Sequence, residues 1–375
     1  MIRRKLFNLQ RLAGISVWLV SLLLLPGWAW ADTWQKVVSV RISTEFDSNP
    51  TLSSSYPESV RRDFFEPSYS LAGKIGVSEL KAGLSLQMER SSNQALSQDL
   101  DGPNAFIDWL RQSEKDEFGI NSRYVEIATR DSGIDATGVV PVTSTRASSD
   151  ISGRWKRELS ERALLLADGK YESVSYEGGS YMNYSTGGGS MRLSYAFSEP
   201  SRTSLKISGT KYVPENDAPF RSLANAILGL EWKISAYLEG NLQAGLSKNS
   251  GVKTRKIGAA GMQYTGQKTR LTLRADRSVI PSGQGNFVLV DQVIGEGSHD
   301  LSERSKTGID LEWQKNKSIK DNNIRTAASV WLQHNLNLSW AVQANYLHTI
   351  IQGGMAAGAS SNTFRISFIY TDSNF

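Results

Sequence analysis

Histidine, carboxylate and glycine groups are the residues through which this chain could do chemistry, and few of them are spaced for it. Three histidines occur in 375 residues: His299, His334 and His348. A Ser–His pair that cleaves lipid at a membrane surface needs both groups on one exposed face, within hydrogen-bond reach. His299 and His334 each fall beside a predicted tight turn and His348 shares the parity of Tyr346, so no such pair is evident. Asp99-Leu100-Asp101-Gly102 opens like a calcium loop, but the later ligand positions are not filled, and Asp47 with Asn49 offers too few oxygens. Both read as solvated loop residues. Gly187-Gly188-Gly189 lacks the strand-to-helix setting of a phosphate loop and reads as a loop tip or a strand start. There is no cysteine, hence neither a disulfide framework nor a thiolate metal site. No catalytic residue, metal or cofactor is predicted, and the chain is not read as an enzyme.

The remaining chemistry sits in charged and amide residues that recur at every second position. Leu80, Ala82, Leu84, Leu86 and Met88 alternate with Lys81, Gly83, Ser85, Gln87 and Glu89. A strand points successive side chains to opposite faces, so this segment has one apolar and one polar face. Leu238 to Leu246, Leu338 to Tyr346 and Phe364 to Tyr370 repeat the arrangement. The polar set supplies candidates for a hydrated interior: Lys81, Gln87, Glu89, Asp150, Arg154, Lys156, Asp168, Lys170, Glu172, Lys206, Glu239, Gln243, Arg270, Arg274, Asp276, Asp310, Glu312, Gln343 and Asn345, with Asn241 beside them. For any one of these the competing reading is a structural salt bridge.

Such strands need a compartment and a shape. Arg3, Arg4, Lys5 and Arg11 precede an apolar stretch from Ile15 to Leu25, a Pro26-Gly27 break and Ala29-Trp30-Ala31. That is the grammar of a secretory signal, predicted to be cut between Ala31 and Asp32, with a barrel over 32–375. The apolar stretch is short of the roughly 20 residues that span a bilayer. Most of the formal charge of +5 and the pI of about 9.2 belongs to this leader, so the rest is near neutral and a nucleic-acid partner loses its main support.

Short polar turns fall near Val77, Ser113, Ser160, Ser198, Ser235, Gly266, Ser302 and Asn335, and long polar segments such as 47–63, 91–104, 130–146 and 177–188 lie between them. Strand, long loop, strand, short turn is the layout of a membrane barrel with periplasmic turns and outer loops. It predicts an all-β, antiparallel, up-and-down transmembrane barrel of about 18 strands, with 16 as the alternative count. The first strand is predicted over 36–46, the eighth over 189–198 and the last over 362–371. No recurring internal motif supports a solenoid or propeller, and only a closed barrel satisfies strand hydrogen bonds in lipid. Trp109, Trp155, Tyr195, Trp232, Trp313, Trp331 and Trp340 are candidates for interfacial girdles. Terminal Phe375 resembles the signal read by the barrel-insertion machinery, although Phe364, Ile366, Phe368 and Tyr370 fall out of phase with it.

Phe46-Asp47-Ser48-Asn49-Pro50 directly after the first strand, and the twin turns Leu159-Ser160-Glu161-Arg162 and Leu301-Ser302-Glu303-Arg304, carry a resemblance. The chain resembles the outer-membrane β-barrel proteins of Gram-negative exopolysaccharide gene clusters, encoded with exosortase or with Wzy-dependent systems. The resemblance implies a conduit for a secreted polysaccharide, with outer-membrane lipid around it and a periplasmic export protein as partner. It carries no site residue over. Barrels of 16–18 strands leave an aqueous channel, which leaves two alternatives: a general small-solute porin, and a surface receptor or adhesin acting through its outer loops.

Overall fold

The computed structural model describes residues 33–130, 144–177, 181–215, 219–250, 254–283, 285–317, 322–353 and 358–373. The predicted leader and Phe375 lie outside them. The described residues form eighteen strands and no helix: β1 (Thr33–Asp47), β2 (Val60–Ile75), β3 (Ser78–Ser91), β4 (Leu100–Gln112), β5 (Asp116–Ala128), β6 (Thr145–Glu158), β7 (Ala163–Glu177), β8 (Tyr184–Ser198), β9 (Ser201–Pro214), β10 (Arg221–Lys233), β11 (Leu238–Asn249), β12 (Arg255–Thr265), β13 (Thr269–Ser282), β14 (Asn286–Asp300), β15 (Ser305–Lys317), β16 (Asn322–Asn335), β17 (Trp340–Gln352) and β18 (Ala359–Asp372). Each strand pairs antiparallel with its sequence neighbours, and β1 pairs with β18 to close the ring.

The short turns are made by their own side chains. In the two Leu-Ser-Glu-Arg turns, the Ser160 hydroxyl accepts from the backbone N–H of Ala163 at 3.1 Å, and Ser302 accepts from that of Ser305 at 3.0 Å. A serine that mimics a backbone turn in this way lets two strands reverse in few residues.

Register fixes the two faces. Opposed residues such as Ile42 and Phe65, Phe118 and Trp155, Ile207 and Ala226, and Leu311 and Gly295 share one face all the way round. That face carries the large exposed apolar side chains, for example Ile207, Leu228 and Leu273. In a closed barrel it is the outside, facing lipid. Trp109, Trp155, Tyr195, Trp232, Trp313 and Trp340 lie on it. Trp331 does not. It sits opposite Gly308 on the inner face, and its indole covers that glycine so closely that a Cβ there would meet the ring at 2.5 Å. The girdle candidate is corrected to an interior residue.

The glycine tract is neither a tip nor a start but the interior of β8. Gly188 packs against the carbonyl of Gly209, where an added Cβ would come to 2.5 Å. The absent side chain lets β8 and β9 approach.

Candidate functional site

The inner face alternates with the lipid face on every strand, and all nineteen lumen candidates fall on it: Lys81, Gln87 and Glu89 on β3, Asp150, Arg154 and Lys156 on β6, Asp168, Lys170 and Glu172 on β7, Lys206 on β9, Glu239 and Gln243 on β11, Arg270, Arg274 and Asp276 on β13, Asp310 and Glu312 on β15, and Gln343 and Asn345 on β17. Their surroundings differ, and the wall has four regions.

Along β5–β7 the charges pair. Arg154 meets Asp168 at 3.2 Å, Lys156 meets Glu117 at 3.5 Å, and Glu172 receives Lys170 at 3.3 Å and Arg146 at 3.6 Å. The cations Arg154, Lys156 and Lys170 are exposed to the lumen, so their pairs contribute little stability, whereas Arg146 and Glu172 are more covered. The effect of the pairs is a wall that is polar yet nearly neutral.

Along β8–β13 the cations outnumber their partners. Arg192 and Lys206 stand directly opposite each other, and neither makes an ion pair among the described residues. Like charges facing across a strand pair are destabilising. The Arg192 Nε is enclosed without a hydrogen-bond partner. Arg192 edges a cavity of about 740 Å³ whose lining carries both signs, Arg192, Arg202, Lys233 and Arg274 with Glu199, Glu231 and Glu239, and in which Lys233 meets Glu239 at 3.8 Å. Its four cations exceed its three carboxylates by one, and Arg192 and Arg202 make no ion pair among the described residues. The adjoining wall, β14–β17, presents acids and amides: Asp310 accepts from Ser329, Glu312 from Arg325 and Gln292, and Gln343 and Asn345 lie beyond.

At the outer end, inner-face charges are covered. Arg62 of β2 donates to Glu45 and, at 2.9 Å, to Asp47. Arg365 of β18 reaches the second Glu45 oxygen at 2.7 Å and lies 4.4 Å from the Phe64 ring. All three of Glu45, Asp47 and Arg62 are buried. Buried charge is tolerated only when matched in this way. Asp47 also accepts from the Asn49 N–H at 3.0 Å, and the Asn49 amide donates to the carbonyls of Ser53 and Ser360, each at 2.9 Å. Both residues fasten the first outer loop. Glu89 is fully covered, bonded by Ser97 and Arg130, so it faces inward without touching an open lumen. Asp99 and Asp101 are likewise engaged, by the Ser91 N–H at 2.9 Å and by Arg90 at 2.8 Å. Among the described residues no three His or acidic groups gather as a metal site.

The outer mouth holds the feature that sequence reasoning missed. β12 pairs with β13 only as far as Gly258 and Arg277, and β15 with β14 only as far as Lys317 and Leu289. Beyond that, 280–282 and 286–288 pair only with each other, as a projecting hairpin. Its tip meets the inner faces of β7–β10. The Tyr212 hydroxyl donates to the Ser282 carbonyl at 2.9 Å, and the Met182 N–H donates to the Gly283 carbonyl at 2.8 Å. Phe287 stacks 5.6 Å from the Tyr212 ring, which lies 5.0 Å from Tyr184, and Val174 and Leu223 complete an apolar cluster. Residues on β14 thus touch β7 across the ends of the strands between them. The hairpin lies over the lumen.

With the barrel and its inner wall described, solved structures of similar shape can be named. OccAB4 of Acinetobacter baumannii superposes with a TM-score of 0.54 at 11% identity, covering 93% of this chain and 100% of that one. OpdK of Pseudomonas aeruginosa, solved with vanillate, gives 0.53 at 10% identity over 92% and 100%. OccK2 (OpdF) of Pseudomonas aeruginosa, solved with glucuronate, gives 0.54 at 9% identity over 91% and 99%. The fold is that of an outer-membrane porin. No protein-family model and no curated protein matches the sequence. The neighbours are substrate-specific porins of Gram-negative outer membranes, transporters rather than enzymes.

Two Ser/Thr–His contacts also escaped the sequence reading. Ser305 Oγ lies 2.8 Å from His334 Nδ1, and Thr269 Oγ1 lies 2.8 Å from His299 Nδ1. Both pairs are exposed on the outer face beside periplasmic turns, at positions directly opposed in register. Among the described residues no hydrogen bond from a third group to either imidazole accompanies these contacts. His348 faces outward too, bonded to Asn362 at 2.8 Å.

Proposed function

We propose that the barrel is a porin for small hydrated solutes and that anions are favoured along its β8–β13 wall. The observation that carries this is the hairpin anchored across the mouth. Eighteen strands enclose a lumen wide enough for water-filled passage, and the hairpin takes part of that opening away, which suits small solutes rather than a bulky polymer. The unpaired Arg192 and Lys206 and the cavity beside them supply the preference for anions. The fold neighbours solved with vanillate and glucuronate, both small carboxylates, agree in kind. A polysaccharide conduit would need the hairpin released from β7–β10.

Planar-bilayer recording tests the proposal. Under a salt gradient the reversal potential should favour the anion, and glucuronate should block the current at one face. Arg192→Glu combined with Lys206→Glu should shift selectivity toward cations several-fold while the folded, heat-modifiable band persists. Selectivity that ignores this reversal, or free passage of long dextrans, would refute it.

A further inference from the structure

The lipid face is not uniformly apolar. At the outer ends of β11–β15, Lys248, Lys256, Arg277, Lys315 and Lys317 share parity with the exposed Leu246, Met262, Leu273 and Leu311, and so point away from the lumen. Directly beneath them on the same face lie Leu246, Ala275, Val293 and Trp313, the upper edge of the apolar band. The cations therefore begin where hydrocarbon gives way to headgroups. One carboxylate stands among them: Asp291 binds Arg277 at 3.0 Å and Lys317 at 2.8 Å. Lys248, Lys256 and Lys315 make no ion pair among the described residues.

The rest of the rim is built differently. On β2 and β3 the outward cations are neutralised in place, Arg61 by Asp63 at 2.7 Å and Arg90 by Asp101 at 2.8 Å. On β16–β18 the corresponding outward positions are Ile324, Thr326, Ile350, Ser360 and Asn362, with no charge. On β2–β3 and β16–β18 the rim thus carries no excess of positive charge, and the nearest further outward cation is Lys211 of β9, 4.5 Å from the Phe220 ring. Lysine and arginine stems can lie along an apolar surface while their heads reach a polar layer, and each cation near an anionic membrane surface adds attraction.

We propose that this patch is a binding site for a phosphate-bearing glycolipid of the outer leaflet, with Lys248, Lys256 and Lys315 holding lipid phosphates and the Arg277–Asp291–Lys317 triad fixing the edge of the site. The proposal rests on outer-membrane placement and is independent of what crosses the lumen.

The probe is bisphosphorylated lipid A in detergent micelles, with dephosphorylated lipid A in parallel. Native mass spectrometry counts lipid retained per folded barrel. Wild type should keep at least one bisphosphorylated lipid A through gel filtration and not the dephosphorylated form. The variant K248Q/K256Q/K315Q should hold it at least about tenfold more weakly, with the folded band and the single-channel conductance unchanged. The variant R61Q/R90Q, on the opposite rim, should retain lipid as wild type does. Equal retention by the lysine variant, equal retention of the dephosphorylated lipid, or lipid-free dimers that the lysine changes abolish would each overturn the proposal. Conductance recorded on the same samples reports separately on the porin reading.

Discussion

A single hydrogen atom in place of a side chain decides where Trp331 goes. Tryptophan in a membrane barrel belongs at the lipid interface, and neighbours such as Trp313 and Trp340 obey that rule on the outer face. Trp331 has inner parity, and Gly308 opposite it leaves the space into which the indole folds. The sequence carried this signal in the alternation itself, since Val330 and Leu332 flank Trp331 as the lipid-facing pair, but the residue type argued the other way. Parity is the stronger constraint, because a one-residue slip would turn the whole strand inside out. Trp331 should therefore meet aqueous quencher entering the lumen. In vesicles, iodide should quench a fraction of the emission that Trp331→Phe removes, and brominated lipid should leave that fraction untouched. Quenching of the Trp331 component by brominated lipid would place it outside.

Among the elements, the lipid-facing stretches were legible and the outer extensions were not. The strand predicted over 36–46 runs Thr33–Asp47, that over 189–198 runs Tyr184–Ser198, and that over 362–371 runs Ala359–Asp372. The missed residues lie mostly at outer ends, where neither face meets hydrocarbon and the alternation fades into Ser, Thr and Gly. The β13–β14 hairpin is the largest case. Its residues keep alternating, but once past Arg277 the face that should meet lipid turns onto Tyr212 and Tyr184 instead, and Ile280, Val288 and Val290 on the other face are buried as well. Gly285, with φ +78°, makes the tight reversal at its tip. A local pattern records that a side chain is apolar, not which wall it will reach across a lumen. If this anchor narrows the path of ions, Tyr212→Ala combined with Phe287→Ala should free the hairpin and raise single-channel conductance, while Tyr212→Phe, which loses one hydrogen bond worth about 1 kcal/mol, should change it little. Identical conductance in all three proteins would put the hairpin outside the conducting path.

For the whole molecule the critical join is between the first and last strands, because a barrel in lipid cannot leave an edge unpaired. β1 meets β18 from Val38 and Asp372 up to Asp47 and Thr363, so the innermost residues of β1 pair with β2 alone. The outer end of this seam buries a cluster of charges. Glu45 and Asp47 come from β1, Arg62 from β2, and Arg365 and Ser361 from β18, so one cluster ties the three strands across the closure. The Ser48 N–H donates to the Asn362 carbonyl at 3.0 Å, and the Asn362 N–H donates to the Ser48 hydroxyl at 2.8 Å. The alternation of Phe364, Ile366, Phe368 and Tyr370 puts Arg365 on the inner face, yet its meeting with Glu45 joins residues at opposite ends of the chain, and only closure brings them together. Removing one partner of a buried ion pair costs about 3–5 kcal/mol, whereas an exposed pair contributes below about 1 kcal/mol. Arg62→Met should accordingly lower the urea midpoint for loss of the heat-modifiable band far more than Arg154→Gln, whose guanidinium is 61% exposed beside Asp168. Adding Asp47→Asn to Arg62→Met should recover part of the loss, because Asp47 then no longer sits buried without a cation while Glu45 keeps Arg365. A midpoint no lower for Arg62→Met than for Arg154→Gln would mean that the backbone ladder alone holds the seam and that the buried charges serve the mouth instead of the closure.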